Sequence, residues 1–260
     1  MIIDSHMHIN NELDNKDEII HINSCPYIDS VINVGMDTTT SKEVIEIANK
    51  NKKFYAAVGI HPLRAENSRV NSIFELATSS KVVAIGETGL DCSENGYNNN
   101  NNNNLDYEKQ KEVFVRQIQI ANELKLPVII HSNNTNGIIF EIFNSIRPKY
   151  GCVFHCFQPK LDDLKKILSY KNDNKERDEY YISFAGKIML PNASASLEVA
   201  KIVPEDRFLI ETDSPYLKPI SRTVYINQIV NRLAEIRRTT PEEIVRITNE
   251  NTKRLFKKIK

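Results

Sequence analysis

The sequence predicts an α/β protein, a (β/α)8 TIM barrel formed as a single domain over residues 1–260. Three observations predict it. Eight short apolar, β-rich runs recur along the chain, segments with helical spacing lie between them, and no linker or composition break divides the sequence. Eight strands alternating with helices in about 250 residues is what one such barrel requires. A doubly wound open sheet is the alternative, but no GxGxxG follows the first run.

In order, the runs are MIID at the start, VINVG from Val31, FYAAVGI from Phe54, VVAIGE from Val82, PVIIH from Pro127, CVFH from Cys152, YYISFAG from Tyr180 and RFLIETD from Arg207. Continuous apolar runs this short suit strands covered on both faces, as in parallel sheets. Between them, SKEVIEIANKN carries Val44, Ile45 and Ala48 on one side of a predicted helix. LDYEKQKEVFVRQIQIANELKL places Val113, Phe114, Ile118, Ala121 and Leu124 at three- and four-residue steps. TTPEEIVRI reads as a helix start, with Thr240 as cap, Pro241 in the first position and Glu243 closing a capping box. An unbroken asparagine run, Asn98 to Asn104, follows the fourth strand. It offers no apolar surface to bury, which predicts a mobile loop on the catalytic rim.

Composition narrows the function. Thirty-four basic residues balance thirty-four acidic ones, so the whole molecule offers no net attraction to nucleic acid, and any grip on a phosphate polymer is local. No run approaches the ~20 apolar residues of a membrane span. The N-terminus lacks a charged region followed by a long apolar one. The four cysteines, Cys25, Cys92, Cys152 and Cys156, form no CxxC pair or disulfide framework, so a reduced, cytoplasmic protein is expected, with no obligate protein partner.

The chemistry lies at the strand tips. In MIIDSHMHIN, His6 and His8 are one residue apart, so an extended strand points both imidazoles the same way, toward one ion. His61 follows the third run, Glu87 ends the fourth, His131 the fifth and His155 the sixth, and Glu211-Thr-Asp213 ends the eighth. Carboxyl ends of barrel strands share one rim, where active sites lie. One rim histidine is commonly a hydrogen-bonding residue. Five of the six histidines at such tips are not explained that way, and only His21 stands apart. His6, His8, His131, His155, Glu87 and Asp213 supply more donors than one catalytic ion takes. They suit two ions about 3.5–4 Å apart that share a carboxylate and activate a water between them. Imidazole with carboxylate fits zinc, manganese or iron, and magnesium less well. One or two divalent ions, zinc, manganese or magnesium, are therefore the expected cofactors. No GxSxG appears and no cysteine has a clear base, so a side-chain nucleophile is disfavoured.

The stretches DSHMH, GIHP, GETGLD, PVIIHS, FHCF, ETDSPYL and NENTKRLF, spanning Asp4 to Phe256, closely resemble the TatD family of metal-dependent hydrolases. The resemblance implies a deoxyribonuclease that cleaves DNA phosphodiester bonds, often from the 3′ end. It implies that His6 and His8 hold a first ion with Asp213, that Glu87 bridges, and that His131 and His155 hold a second. Asp213 would orient or deprotonate the water, so that Glu87 and Asp213 are the catalytic pair, and His61 would contact a phosphate oxygen. Some positions depart from the family's pattern. Leu63 stands where a second histidine is common, Asn133 where an arginine often follows His-Ser, and Gln158 and Pro159 where small residues are usual. Arg222 is the stand-in for a family arginine after ETDSPYL. These changes touch substrate recognition, so hydrolysis of another ester or amide, such as a D-aminoacyl-tRNA ester, is the alternative. A non-catalytic binding barrel is a third reading, which a missing ligand would favour; all six are present.

Overall fold

The computed structural model describes all residues except 67, 94–106, 136, 158–160, 171–178 and 218–221. The asparagine tract, Gln158 and Pro159 lie outside the described residues.

Eight strands form one parallel sheet in sequence order: β1 (Ile2–Met7), β2 (Ile28–Val34), β3 (Phe54–Val58), β4 (Val82–Asp91), β5 (Val128–Asn133), β6 (Cys152–Phe154), β7 (Tyr180–Phe184) and β8 (Phe208–Ile210). The sheet curls until its edges meet beyond the strand ends. There His8 N–H donates to the Ser214 carbonyl at 2.7 Å and Asp213 N–H to the His6 carbonyl at 3.0 Å. Helices cover the outside: α1 (Asp17–Ser24), α2 (Thr38–Lys50), α3 (Ser72–Ala77), α4 (Tyr107–Leu124), α5 (Ile138–Ser145), α6 (Leu161–Ser169), α7 (Ser194–Ile202), α8 (Ile226–Arg237) and α9 (Pro241–Leu255). The fold is the (β/α)8 barrel expected.

Two apolar layers explain the runs. Strand side chains such as Val31, Phe54, Val82 and Val128 pack with Val44, Phe114, Ile118 and Ile244 of the helices. A second cluster, with Ile3, Ile32, Val83, Ile129 and Leu209, joins Leu255, Phe256 and Ile259 of the chain's end. That end closes the barrel bottom, since Lys258 Nζ donates to the Val82 carbonyl at 2.7 Å, where β4 begins. The mouth is left to polar groups. Among the described residues no helix is long and apolar enough to cross a membrane.

Two boundaries and one helix cap differ from the sequence expectation. β4 does not end at Glu87 but runs on to Asp91, because its pairing with β5 shifts register between Ile85 and Thr88 and then resumes from Thr88. Such an irregularity re-aims one side chain without ending the strand. α2 begins at Thr38, before the apolar spacing starts, because Asp37 accepts from the Thr40 amide and Thr40 caps back in a full capping box. At α9, Thr240 accepts from the Glu243 amide at 3.2 Å, but the Glu243 carboxylate pairs with Arg246 instead of completing the box.

Candidate metal centre

The mouth gathers its polar side chains from strands or the residues just after them. His6 lies in β1 and His8 one residue beyond it, and Nε2 of the two rings lie 3.0 Å apart. Glu87 projects from the shifted stretch of β4 and is 3% exposed. Its two carboxylate oxygens face different partners. Oε2 lies 3.5 Å from His6 Nε2 and 3.7 Å from His8 Nε2. Oε1 lies 2.7 Å from His131 Nδ1 and 2.6 Å from His155 Nε2. Asp213, three residues past β8, brings Oδ1 to 3.5 Å from His8 Nε2 and 3.8 Å from His6 Nε2. Its backbone sits in the left-handed region, φ 52°, which aspartate tolerates better than most residues.

Ring orientation is set from outside the cluster. His8 Nδ1 lies 2.9 Å from the Val34 carbonyl, so that nitrogen carries the proton and Nε2 turns a lone pair inward. His131 Nε2 lies 2.9 Å from Asp91 Oδ2, leaving Nδ1 to face Glu87. His61 is the reverse case. Its Nδ1 accepts the Leu63 amide at 3.1 Å, so the neutral ring carries its proton on Nε2, which points at Glu87 Oε1 from 3.6 Å. Burial pushes His61 down to about 3, so that neutral, donating form persists.

Both carboxylates are held in their ionised form. Burial pushes Glu87 up, but His155 and the hydrogen bonds from His131 and His155 outweigh it and hold the carboxylate well below its usual range. Burial likewise raises Asp213, and the imidazoles of His8, His155 and His6 bring it below its ordinary value. Ligand atoms of His6, His8 and Glu87, of His6, His155 and Glu211, and of His61, Glu87 and His131 form three groups, each within 4.8 Å. Two inward nitrogens 3.0 Å apart, beside two buried carboxylates, form a donor set that fits a divalent ion. Among the described residues, the buried His6 Nδ1, His155 Nδ1 and Glu211 Oε2 find no hydrogen-bond partner.

The structure thus brings together His6, His8, His61, Glu87, His131, His155 and Asp213. It does not bring Arg222 into that set. The Arg222 guanidinium lies on α1, 3.1 Å from His21 Nε2 and 3.9 Å from Asp17 Oδ2, and is 44% exposed.

Three carboxylates were not assigned a role from the sequence. Asp91 holds His131. Glu211, fully buried, places Oε1 3.4 Å from His155 Nδ1. Asp4 accepts from the Thr212 hydroxyl at 2.6 Å and amide at 3.0 Å, tying β1 to the segment that carries Asp213, and burial raises its carboxyl to about 7. The available signal was a carboxylate inside an otherwise apolar run.

A barrel with such a donor set in its mouth is suited to a metal-dependent enzyme. Known proteins agree. The family profile described as TatD related DNase matches residues 3–257. An uncharacterized metal-dependent hydrolase of Bacillus subtilis, YabD, is 33% identical over 99% of both chains. The 3′-5′ ssDNA/RNA exonuclease TatD of Citrobacter rodentium is 28% identical, over 92% of this chain and 91% of its own. The crystal structure of the TatD homolog YjjV of Escherichia coli superposes with a TM-score of 0.83 at 24% identity, covering 98% of each chain. The chain belongs to the TatD family of metal-dependent hydrolases.

Proposed function

We propose that residues 1–260 act as one hydrolase domain that cleaves nucleic acid phosphodiester bonds, DNA foremost, with two divalent ions. The observation that carries this reading is the divided carboxylate of Glu87, with Oε2 toward His6 and His8 and Oε1 toward His131 and His155. One ion has no use for a carboxylate shared between two imidazole sets, whereas a pair of ions does. His6, His8 and Asp213 would hold one ion, His131 and His155 the other, and Glu87 both. Such ions lower the pKa of water and neutralise charge on a phosphoryl group.

The protein's own groups supply the rest. Asp213, whose side chain is 11% exposed against 3% for Glu87, is the carboxylate open to the mouth and orients the attacking water and accepts its proton. His61, with its proton on Nε2, donates to a phosphate oxygen. The exonuclease name of the Citrobacter relative supports a nucleic acid substrate.

The test is a substrate panel of single-stranded DNA, duplex DNA, RNA and charged tRNA, run with metal-stripped protein reloaded with zinc, manganese or magnesium in turn. Phosphodiester cleavage of DNA with at least one ion is expected. Release of the amino acid from charged tRNA with no cleavage of any nucleic acid chain would overturn the nuclease reading.

A further inference from the structure

Glu211 is a buried carboxylate that the proposed chemistry leaves idle. It directly follows β8, is fully buried, and is fixed at its backbone, where its amide donates to the Phe184 carbonyl of β7 at 3.0 Å. Its Oε1 accepts from the Cys156 amide and lies 3.4 Å from His155 Nδ1, a separation that a small rotation of the ring turns into a hydrogen bond. Ligand atoms of Glu211, His6 and His155 lie within 4.8 Å of one another. The rings of His6 and His155 stack, with centroids 4.1 Å apart and planes at 11°. Glu87 meets this stacked pair at Nε2 of each ring, and Glu211 meets His155 at the other nitrogen.

The unpartnered His6 Nδ1, His155 Nδ1 and Glu211 Oε2 all belong to this group, and they are complementary. A neutral imidazole whose Nε2 lone pair faces an ion carries its proton on Nδ1. The two ring nitrogens are then donors and the carboxylate oxygen an acceptor. Protonated nitrogens leave no lone pair for a further ion, so the group is a hydrogen-bond set. His8 and His131 already have partners at the nitrogen turned from the centre, in the Val34 carbonyl and Asp91. Among the described residues, Glu211 Oε2 is the one carboxylate oxygen that is buried and unpartnered. A span of up to 4.8 Å suits one water that accepts from the His6 ring and donates to the carboxylate. Buried waters commonly satisfy such groups.

We propose that Glu211 is a positioning residue for both ion sites at once, with Oε1 accepting from His155 Nδ1 and Oε2 from His6 Nδ1 through one ordered water. The inference rests on the two-ion reading and adds to it what aims the ligands from behind. On that reading His6 serves the first ion and His155 the second, so Glu211 behind the pair matches Glu87 in front of it. Asp91 differs, since His131 is the only histidine it holds. A partner of this kind fixes the tautomer, orients the ring and makes the ligand nitrogen more basic. The Cys156 backbone is left-handed, φ 44°, and its amide donates to Glu211, so the same carboxylate also holds the turn after His155.

The experiment titrates zinc into metal-stripped protein against a chelating dye, and records the exchangeable ring N–H signals of the zinc-loaded protein by NMR. Glu211→Gln keeps the volume of the side chain and an oxygen for the Cys156 amide, but loses the charge and one of two acceptors. It is expected to weaken both zinc ions by about 10- to 100-fold, whereas Asp91→Asn weakens one. The ring N–H signals of His6 and His155 should shift and exchange faster with water, with those of His8 and His131 unmoved. The unaltered protein is a second measurement that needs no variant to fold, because its zinc-loaded His6 and His155 should both carry the proton on Nδ1. A proton on Nε2 of either ring overturns the proposal, as does movement of His155 alone in Glu211→Gln. Equal movement at every ring would mark a general loosening and overturn it too. Two zinc ions per chain with unmoved ring signals in Glu211→Gln overturn the role of Glu211 and leave the two-ion reading standing. A single zinc ion per unaltered chain overturns the two-ion reading and the shared role with it.

Discussion

Asp91 Oδ2 lies 2.9 Å from Nε2 of His131, on the side of the ring away from Glu87. The carboxylate is itself held by the Ser93 amide at 2.9 Å and by the Ser93 hydroxyl. Burial pushes Asp91 up, but His131 and Ser93 outweigh it and bring it below its ordinary value. Asp91 is thus a positioning residue that presents His131 Nδ1 to the mouth.

Asp91→Asn is therefore expected to weaken metal binding by about 10- to 100-fold, the usual loss when a partner behind a metal-binding histidine is changed. A competition titration with a chelating dye reads the affinity directly. An unchanged affinity would show that Asp91 has no hold on the centre.

Asp213→Asn keeps the volume of the side chain and removes its negative charge. Loss of a general base costs ~10²–10⁴-fold in rate, and weaker metal binding adds to this. His21→Ala removes a half-exposed histidine whose partners are Asp17 and Arg222, so activity should stay intact. Equal losses in both variants, with equal drops in melting temperature, would mean that the effect is on folding.

The sequence showed the barrel because its strands are continuous apolar runs, which need no tertiary information to see. Val31 to Gly35 and Val82 to Glu87 read as strands for that reason. The start of β2 at Ile28 was hidden, since Asp29 and Ser30 interrupt the run while the Ile3–Ser30 pairing carries the ladder through them. The six side chains that meet in the mouth were visible because an ionisable residue at the tip of an apolar run is out of place. Asp91 was not, because only the folded strand shows that β4 continues past Glu87 and carries this carboxylate to His131. Arg222 shows the opposite limit. Its place in the chain suggested the mouth, but its partners are on α1, a contact that no local spacing records.

Acid should weaken the start of α2 in a defined direction. Burial pushes Asp37 up, but the Thr40 amide and hydroxyl and the Arg64 guanidinium outweigh it and hold the carboxyl below its ordinary 3.8. A carboxyl held lower in the folded chain adds stability that is present above the unfolded value and lost as pH falls through the folded one. Asp37→Ala should cost ~1 kcal/mol at pH 7, as for other helix caps. The difference from the unaltered protein should shrink at pH 3, as read by urea unfolding at the two pH values. A constant difference would show that the loss comes from packing and not from the charged cap.

The backbone beside His131 is the last point of leverage. Gly89 pairs with His131 across β4 and β5, its φ is 143°, and a Cβ built there would lie 2.0 Å from the His131 carbonyl oxygen. Gly89→Ala must therefore push β5 away at the residue that faces Glu87. Backbone strain of this kind costs roughly 1–3 kcal/mol, which alone would only lower the melting temperature. Gly151→Ala is the matched control. Its φ is 93° and its Cβ would lie 2.7 Å from the Glu179 carbonyl, but it stands just before β6, at the barrel bottom. Both variants should melt at lower temperature, while only Gly89→Ala should also bind less metal per chain when both are loaded below their melting points. Equal metal content in the two would mean that β5 can shift at His131 without disturbing the donor set, and that the centre tolerates more displacement than its short contacts to Glu87 suggest.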